Sequence, residues 1–506
     1  MTVDESTENV PQPEQEGDAS GKRKSRSKRR RKLRVLVFLV AHLLGAISSV
    51  QAIMSTRTAQ GAIAWAISLN TFPYVAVPAY WVFGRSKFDG YHMKRHATML
   101  AESETERNVI GLLAEGGMLI DPKNAIDLRR KTLLENLAQM PVTRFNDADL
   151  LIDGEATFDA IVEGITEATD YVLFQFYIIH DDDLGNRLKD ALIAKAKEGV
   201  SVFFLYDALG SYSLPDAYLS QLRDAGVQTA AFRTTRGWQN RFRVNFRNHR
   251  KIVVIDGKEA FVGGHNVGDE YLGKDDTLTP WRDTHVAVRG PTALEAQVTF
   301  VEDWSWATGN IPELNWEPHR APQGDVRALC LPTGPADNLE TGTLMLLDLI
   351  NSSTESIWIA TPYFAPDQQF VSALQLASLR GVDVRILVPE QYDNFVVGMT
   401  VYSYLEELEE TSIKFHWYER GFMHQKVILV DGKTAAIGTA NFDNRSMRLN
   451  FEVTMLLEDA EFAASVEQML ETDFQHSRLA SAAEYRDGSL PFRFAVRVCR
   501  LFAPIQ

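Results

Sequence analysis

The sequence predicts an α/β protein of two similar halves, each a mixed β-sheet flanked by helices, preceded by an N-terminal hairpin of two transmembrane helices. Three observations predict it. A short pattern, H-x-K-x4-D, occurs at His249 and returns 175 positions later at His424. Strand-like and helix-like stretches alternate around both copies, which indicates a sheet covered by helices. Two long uncharged apolar runs lie near the N terminus.

Residues 1–34 read as a tail. The first 21 are acidic and lack apolar periodicity, which predicts disorder. Lys22 to Arg34 then places ten basic residues in thirteen positions directly ahead of an apolar run, as a membrane-flanking segment does. Residues 35–83 read as two spans. Val35 to Met54 is twenty residues without formal charge, and at about 1.5 Å per residue a helix of that length crosses the roughly 30 Å hydrocarbon core. Ala62 to Phe83 is again uncharged, with Trp65, Tyr80 and Trp81 suited to the interfaces and Pro73 and Pro78 expected as kinks. The first run is too long for a signal core and a second span follows it, which disfavours a cleaved signal peptide. Basic residues dominate before the first span and, as Arg85, Lys87, Lys94 and Arg95, after the second, with Arg57 alone between them. Both ends, and with them the large domain, are expected on the cytoplasmic side.

Residues 84–147 read as a mostly helical connector without chemistry of their own. The first half, 148–330, is predicted to have strands at Tyr171 to Ile179 and Val200 to Tyr206, and helices at Leu184 to Glu198 and Asp216 to Asp224. The second half, 331–480, repeats the plan with helices at Thr343 to Ser352 and Gln368 to Arg380 and strands at Ser356 to Thr361 and Val382 to Pro389. His180 to Asp183, between a strand and a helix, reads as a helix N-cap with acidic residues at the positive helix end rather than as a metal site. In the C-terminal segment, 481–506, Arg493, Arg497 and Arg500 line one side of a helix. Two readings stay open there: a basic surface helix lying on anionic lipid, or a terminal helix packed on the domain.

Composition narrows the function. The chain has 506 residues and a net charge of −15, and beyond the tail 42 Lys and Arg face 61 Asp and Glu. So acidic a body argues against extensive contact with nucleic-acid phosphate. Cys330 and Cys499 belong to no metal-binding or disulfide pattern, which suits a reducing compartment.

The chemistry lies in the repeated pattern. Each copy is a β-hairpin: an apolar run, Ile252 to Ile255 or Val427 to Val430, reaches an Asp-Gly-Lys turn and a second apolar run returns. Residues two apart on a strand share a face, so His249 and Lys251 point the same way, as do His424 and Lys426. Gly263 and Asn266 answer Gly438 and Asn441, seven and ten residues past Asp256 and Asp431. Each aspartate reads either as a turn residue or as part of the catalytic set. One half cannot supply both motifs, so the site is expected between the halves. One imidazole can attack a phosphodiester phosphorus while the other protonates the departing alkoxide and later deprotonates the incoming alcohol. Lys251 and Lys426 would hold the non-bridging oxygens, with Asn266 and Asn441 adding neutral donors. With two ammonium groups present, no metal or cofactor is required.

These motifs resemble those of the phospholipase D superfamily, H-x-K-x4-D-x6-G-x2-N, over roughly residues 148 to 478. The resemblance implies that His249, Lys251, Asp256, His424, Lys426 and Asp431 form one active site, with His249 as nucleophile. Gly264 departs from the pattern, which usually has serine there, whereas Thr439 keeps a hydroxyl. Within the superfamily the chain is similar to the bacterial cardiolipin synthases. The likeness lies in Tyr206-Asp207-Ala208-Leu209-Gly210-Ser211, Trp281-Arg282-Asp283-Thr284-His285, Thr361-Pro362-Tyr363-Phe364 and Asn450-Phe451-Glu452, and in the two spans. It implies an enzyme of the bacterial inner membrane that joins two phosphatidylglycerols into cardiolipin and releases glycerol. A hydrolytic phospholipase D giving phosphatidic acid would use the same residues and remains the alternative.

Overall fold

The computed structural model describes residues 17–56, 58–84, 107–120, 128–235, 245–275 and 277–505, together with Thr2 and Phe88. Arg57, Arg85, Lys87, Lys94 and Arg95, which enter the expected orientation, lie outside the described residues, as does most of the tail before Gly17. The chain divides into two compact units, Met1–Ser86 and Lys87–Gln506.

In the first unit, helix α1 (Gly17–Ser55) begins inside the stretch expected to be disordered and runs through the basic segment, whose Lys and Arg are good helix formers. Its part Lys28–Ser55 is, among the described residues, the one helix long and apolar enough to cross a membrane. The second apolar run is not continuous. It forms α2 (Ala59–Thr71) and α3 (Pro73–Phe83), broken at Phe72, whose ψ of 55° is non-helical. Pro73 explains the break: it disfavours helical geometry at the residue before it and sits well at a helix start. Pro78, by contrast, lies inside α3. The polar residues of these runs satisfy one another, Asn70 Nδ2 donating to Ser49 Oγ at 2.8 Å and Trp81 Nε1 to Ser48 Oγ at 3.2 Å. Gly45 lets α1 and α2 touch, since a Cβ there would fall 2.3 Å from the carbonyl oxygen of Leu69.

The second unit is built on strands. In the N-terminal part they are β1 (Thr143–Ile152), β2 (Tyr171–Phe176), β3 (Ser201–Asp207), β4 (Gln228–Phe232), β5 (Arg247–Asn248), β6 (Ile252–Ile255), β7 (Glu259–Gly263), β8 (Trp281–Arg282) and β9 (Thr284–Arg289). In the C-terminal part they are β10 (Val326–Thr333), β11 (Ser356–Ala360), β12 (Phe364–Ala365), β13 (Asp383–Pro389), β14 (Lys414–Tyr418), β15 (Phe422–Met423), β16 (Val427–Val430), β17 (Thr434–Gly438), β18 (Phe442–Asp443), β19 (Asn450–Glu458) and β20 (Ser477–Leu479). Among the described residues one sheet runs β20-β14-β13-β11-β16-β17-β19-β10-β1-β9-β7-β6-β2-β3-β4, with β5 added on β19. Both motif hairpins pair as expected, β6 with β7 and β16 with β17, antiparallel. β2, β3 and β4 are parallel, and so are β11, β13 and β14.

Alternation along the strands sorts the core into layers. Leu173, Leu205, Ile252 and Val254 share one apolar cluster with Val427, Leu429 and Ile437, while Val172, Phe174, Val253 and Ile255 face a second cluster with the helices Asp153–Glu167 and Asp183–Lys197. The connector is less helical than expected at its end, because β1 starts at Thr143 and lies in mid-sheet between β9 and β10. Asp182 caps its helix through Gly185 N at 2.9 Å and also accepts from Asp269 N, as the N-cap reading expected.

The C-terminal helix Leu490–Arg500 packs on the domain, the second of the two readings left open for it. Two of its arginines bond the domain, Arg497 donating to Tyr485 and Glu406 and Arg500 to Ser403 and Glu407, while Arg493 is exposed. Leu490 and Phe494, and Leu501 just past its end, are left exposed. The glutamates of the helix Phe395–Leu408 explain the orientation, since they offer the guanidinium groups carboxylates at short range.

Candidate active site

Each motif hairpin is entered through a two-residue strand that pairs with the other part of the chain. β5 pairs with β19 and His249 N donates to Phe451 O at 2.9 Å; β15 pairs with β8 and His424 N donates to Arg282 O at 2.7 Å. This exchange puts a carboxylate from the far part against each imidazole. His249 Nδ1 lies 2.9 Å from Glu452 Oε2, and His424 Nδ1 lies 2.7 Å from Asp283 Oδ2. A carboxylate on Nδ1 fixes the tautomer that leaves Nε2 able to attack or to exchange a proton.

The lysines complete the cluster. Lys251 Nζ donates to the carbonyl of its own histidine at 2.8 Å and stands over the Tyr177 ring, and Lys426 likewise donates to His424 O. Each ammonium acts electrostatically on the other and on the histidine of the other motif, so all four groups share one site. The residue between His and Lys points away and serves as an anchor. Arg250 Nη1 meets Asp303 at 2.9 Å, and Gln425 Nε2 meets Asp473 at 2.7 Å; both aspartates are buried.

Burial governs the electrostatics. It pushes the His249 imidazole down to about 4 and the His424 imidazole down to about 3, with the nearby ammonium groups adding to the effect and Glu452 and Asp283 opposing it. Lys251 and Lys426 fall to about 7 and about 8, again chiefly through burial. Although burial opposes it, Asp283 is held well below the usual carboxylate range by Lys426, His265 and His424, and Glu452 is lowered by His249, Lys251 and Thr439. Without substrate, the site therefore holds two neutral imidazoles among ionised carboxylates and weakly held ammonium protons.

Six of the eight residues expected at the site come near it, in unequal ways. His249, Lys251, His424 and Lys426 converge. Asn266 does not present a free amide: its Oδ1 accepts from Ile178 N at 3.2 Å and its Nδ2 donates to Tyr271 at 3.0 Å. Asn441 keeps a buried side-chain oxygen without a hydrogen-bond partner. Asp256 and Asp431, which read either as turn residues or as part of the catalytic set, lie away from the imidazoles. They sit at the opposite end of β6 and β16, at positive φ of 51° and 52°, as turn residues. Asp256 accepts from Thr169 N and Oγ1, Asp170 N and Tyr171 N; Asp431 accepts from Thr354 N and Oγ1, Glu355 N and Ser356 N. Each ties its hairpin turn to the start of the neighbouring strand.

The Gly264 departure also has a physical reason. A Cβ there would fall 2.1 Å from Asp283 Oδ1, so a side chain would displace the partner of His424. Thr439, at the matching place, donates to Glu452 at 2.6 Å. Among the described residues no group of three or more His, Cys, Asp and Glu side chains is arranged to hold a metal ion.

A family model described as cardiolipin synthase, phospholipase D-like domain, matches residues 161–304 and 346–474, more than half of the chain. The chain belongs to this cardiolipin synthase family. Cardiolipin synthase A of Pseudomonas fluorescens strain Pf-5 is 48% identical over 472 residues, covering 92% of this chain and 98% of that protein. Cardiolipin synthase A of Pseudomonas entomophila is 47% identical over 468 residues, covering 92% and 96%. Among solved structures, the phosphatidylserine synthase of Haemophilus influenzae matches with a TM-score of 0.58 at 18% identity, covering 74% of this chain and 99% of that one, a likeness of fold. As a cardiolipin synthase family member the chain is an enzyme of the phosphatidyltransferase class. Glu452 and Asp283 are the members of its site that motif reading missed. The only signal for them was their place in the strings Asn450-Phe451-Glu452 and Trp281-Arg282-Asp283, which carry no role by themselves.

Proposed function

We propose that this enzyme transfers a phosphatidyl group from one phosphatidylglycerol to another, giving cardiolipin and glycerol. The reading is carried by the two buried histidine–carboxylate pairs set among two ammonium groups, with relatives named cardiolipin synthase A in support. His249 Nε2 attacks the phosphorus of the first lipid. The bond from phosphorus to the glycerol headgroup oxygen breaks and His424 gives that oxygen its proton, so glycerol departs and a phosphatidyl-histidine remains. His424 then takes the proton of a glycerol hydroxyl on the second lipid, whose oxygen attacks phosphorus as the bond to His249 breaks. Lys251 and Lys426 face the non-bridging oxygens in both steps. The anionic phosphodiester also raises the proton affinity of imidazoles that burial keeps neutral, which gives His424 the proton the first step needs.

The substrates are membrane phospholipids, and the proposed placement is the bacterial inner membrane. There α1 and the broken α2–α3 run both span, and the catalytic unit is cytoplasmic. Within that unit we read two phospholipase D-like halves, 148–330 and 331–480, after the connector 84–147 and before the C-terminal segment 481–506. What supports two halves is the strand order read outward from the central pair: β9, β7, β6, β2, β3, β4 from β1, and β19, β17, β16, β11, β13, β14 from β10. The test is incubation of purified protein with labelled phosphatidylglycerol in chelator. Cardiolipin and glycerol are expected; phosphatidic acid as the main product would make the enzyme a hydrolase.

A further inference from the structure

Transfer between two phosphatidylglycerols brings two phosphodiester anions to one place. The phosphate of the acceptor lipid stays attached to the glycerol whose other end attacks, so it comes to rest one glycerol away from the reacting phosphorus. Lys251 and Lys426 face the first phosphate, and the second approaches against its repulsion. With water or free glycerol as acceptor there is no second anion. A lipid-specific transferase therefore needs positive charge beside the nucleophile that the two motifs do not provide.

Such charge is present at one edge of His249. Arg247 stands two residues before His249 on the same extended segment, so Arg247, His249 and Lys251 follow one another at strand spacing. Its guanidinium donates to Phe246 O at 2.8 Å and bonds Tyr177, whose ring lies 5.0 Å from that of His249. Arg445 reaches the same place from the short helix Asn444–Arg448 of the other motif. It donates to Asn245 O at 2.8 Å and Asn245 Oδ1 at 3.3 Å, and it lies close enough to Arg247 for the two cations to repel each other. Asn245 is buried, and its amide Nδ2 has no acceptor among the described residues. A buried donor left without an acceptor is costly, and an incoming oxyanion would satisfy it. The nearby carboxylates of Asp207 and Asp443 each accept backbone N–H groups, from Asn248, Leu209 and Gly210 and from Ser446.

We propose that Arg247, Arg445 and the Asn245 amide form a second anion site beside His249, one that holds the phosphate of the acceptor lipid. The site rests on the transferase reading above. It makes the acceptor's own charge a condition of tight binding, and so favours a lipid alcohol over water. It also divides the substrates between the two kinds of cation: lysines for the phosphate that reacts, arginines for the one that does not. Guanidinium suits the second task because it offers paired N–H donors to a phosphate without changing protonation.

The experiment compares two acceptors with one donor, using the full-length protein in mixed micelles. Cardiolipin formation from phosphatidylglycerol needs the second anion; exchange of labelled free glycerol into phosphatidylglycerol uses the same donor and the same histidine but an uncharged acceptor. In Arg247→Gln and Arg445→Gln, cardiolipin formation should fall by about tenfold or more with a raised KM for acceptor, while glycerol exchange stays within about twofold. Arg445→Lys should recover part of the loss. Equal loss of both activities would assign the pair to the donor or to folding and overturn the site, as would cardiolipin formation that neither substitution changes. Phosphatidic acid as the main product of the unsubstituted protein would instead remove the transferase reading itself, and the acceptor site with it.

Discussion

Replacing Asp431 by Asn separates a turn tether from a catalytic group. Asp431 sits at φ 52°, a conformation Asn tolerates, so the substitution changes the carboxylate and leaves the backbone unstrained. An Asn side-chain oxygen placed at Oδ1 keeps the bonds from Glu355 N at 2.8 Å and Ser356 N at 2.9 Å. At the Oδ2 position an NH2 group then faces the N–H of Thr354, which loses its 3.0 Å bond there but keeps the one of 3.1 Å to Oδ1, and the Thr354 hydroxyl must turn to accept. The loss is at most one hydrogen bond to a charged acceptor, which is worth roughly 1.5–3 kcal/mol when buried and about 1.5 kcal/mol or less at this partly exposed turn. The assay is thermal unfolding beside turnover measured well below the transition. The midpoint should drop by a few degrees while turnover of the folded protein stays within about twofold. The carboxyl is held below its ordinary value, against burial, by bonds from Ser356, Glu355 and Thr354, so its contribution is present above the unfolded pKa and is lost as pH falls through the folded one. In the variant this acid-side loss should be smaller. Turnover lost by about a hundredfold at an unchanged midpoint would return Asp431 to the catalytic set and refute the tether reading.

Three further outcomes are expected. Glu452→Gln removes the ionised partner of His249 and should lower turnover about ten- to a hundredfold with little change in substrate KM, as measured by steady-state kinetics. His424→Ala, given a p-nitrophenyl phosphodiester whose leaving group needs no proton, should accumulate a phosphohistidine that His249→Ala never shows; mass spectrometry of quenched protein reads it, and an adduct on His424 in His249→Ala would reverse the roles. Burial depresses both imidazoles from 6.5 to about 4 and about 3, so the unfolded chain binds protons that the folded one refuses as pH drops below 6.5. Thermal stability should therefore fall between pH 7 and pH 5, and a His249→Gln, His424→Gln double variant should show a flatter profile.

What the sequence made legible was local and repeated. His249, Lys251, His424 and Lys426 stand out because their spacing recurs and strand alternation fixes their common face. The elements around them, from Tyr171 through Pro389, follow from apolar period and turn residues, and their bounds shift by only a few residues in the structure. Glu452 and Asp283 were not legible as partners because each reaches its histidine through pairing between distant segments, β19 on β5 and β8 on β15. Asp256 and Asp431 stayed between two readings for the opposite reason: an Asp before Gly suits a hairpin turn whether or not it takes part in chemistry. The C-terminal arginines were placed on the correct helix with their partner left open, since the glutamates that meet Arg497 and Arg500 lie roughly 90 residues earlier, beyond the reach of any local pattern.

The crossed pairing of histidines and carboxylates also sets when the chemistry can begin. Residues leave the ribosome in order, and the N-terminal part can fold while the rest is still being made. At that stage His249 and Lys251 exist, but Glu452 is still two hundred residues away in synthesis and the second imidazole is missing. Nascent chains at that stage thus lack both the carboxylate partner of His249 and the second histidine–carboxylate pair. The crossed pairing is complete only with β19, when Glu452 closes on His249.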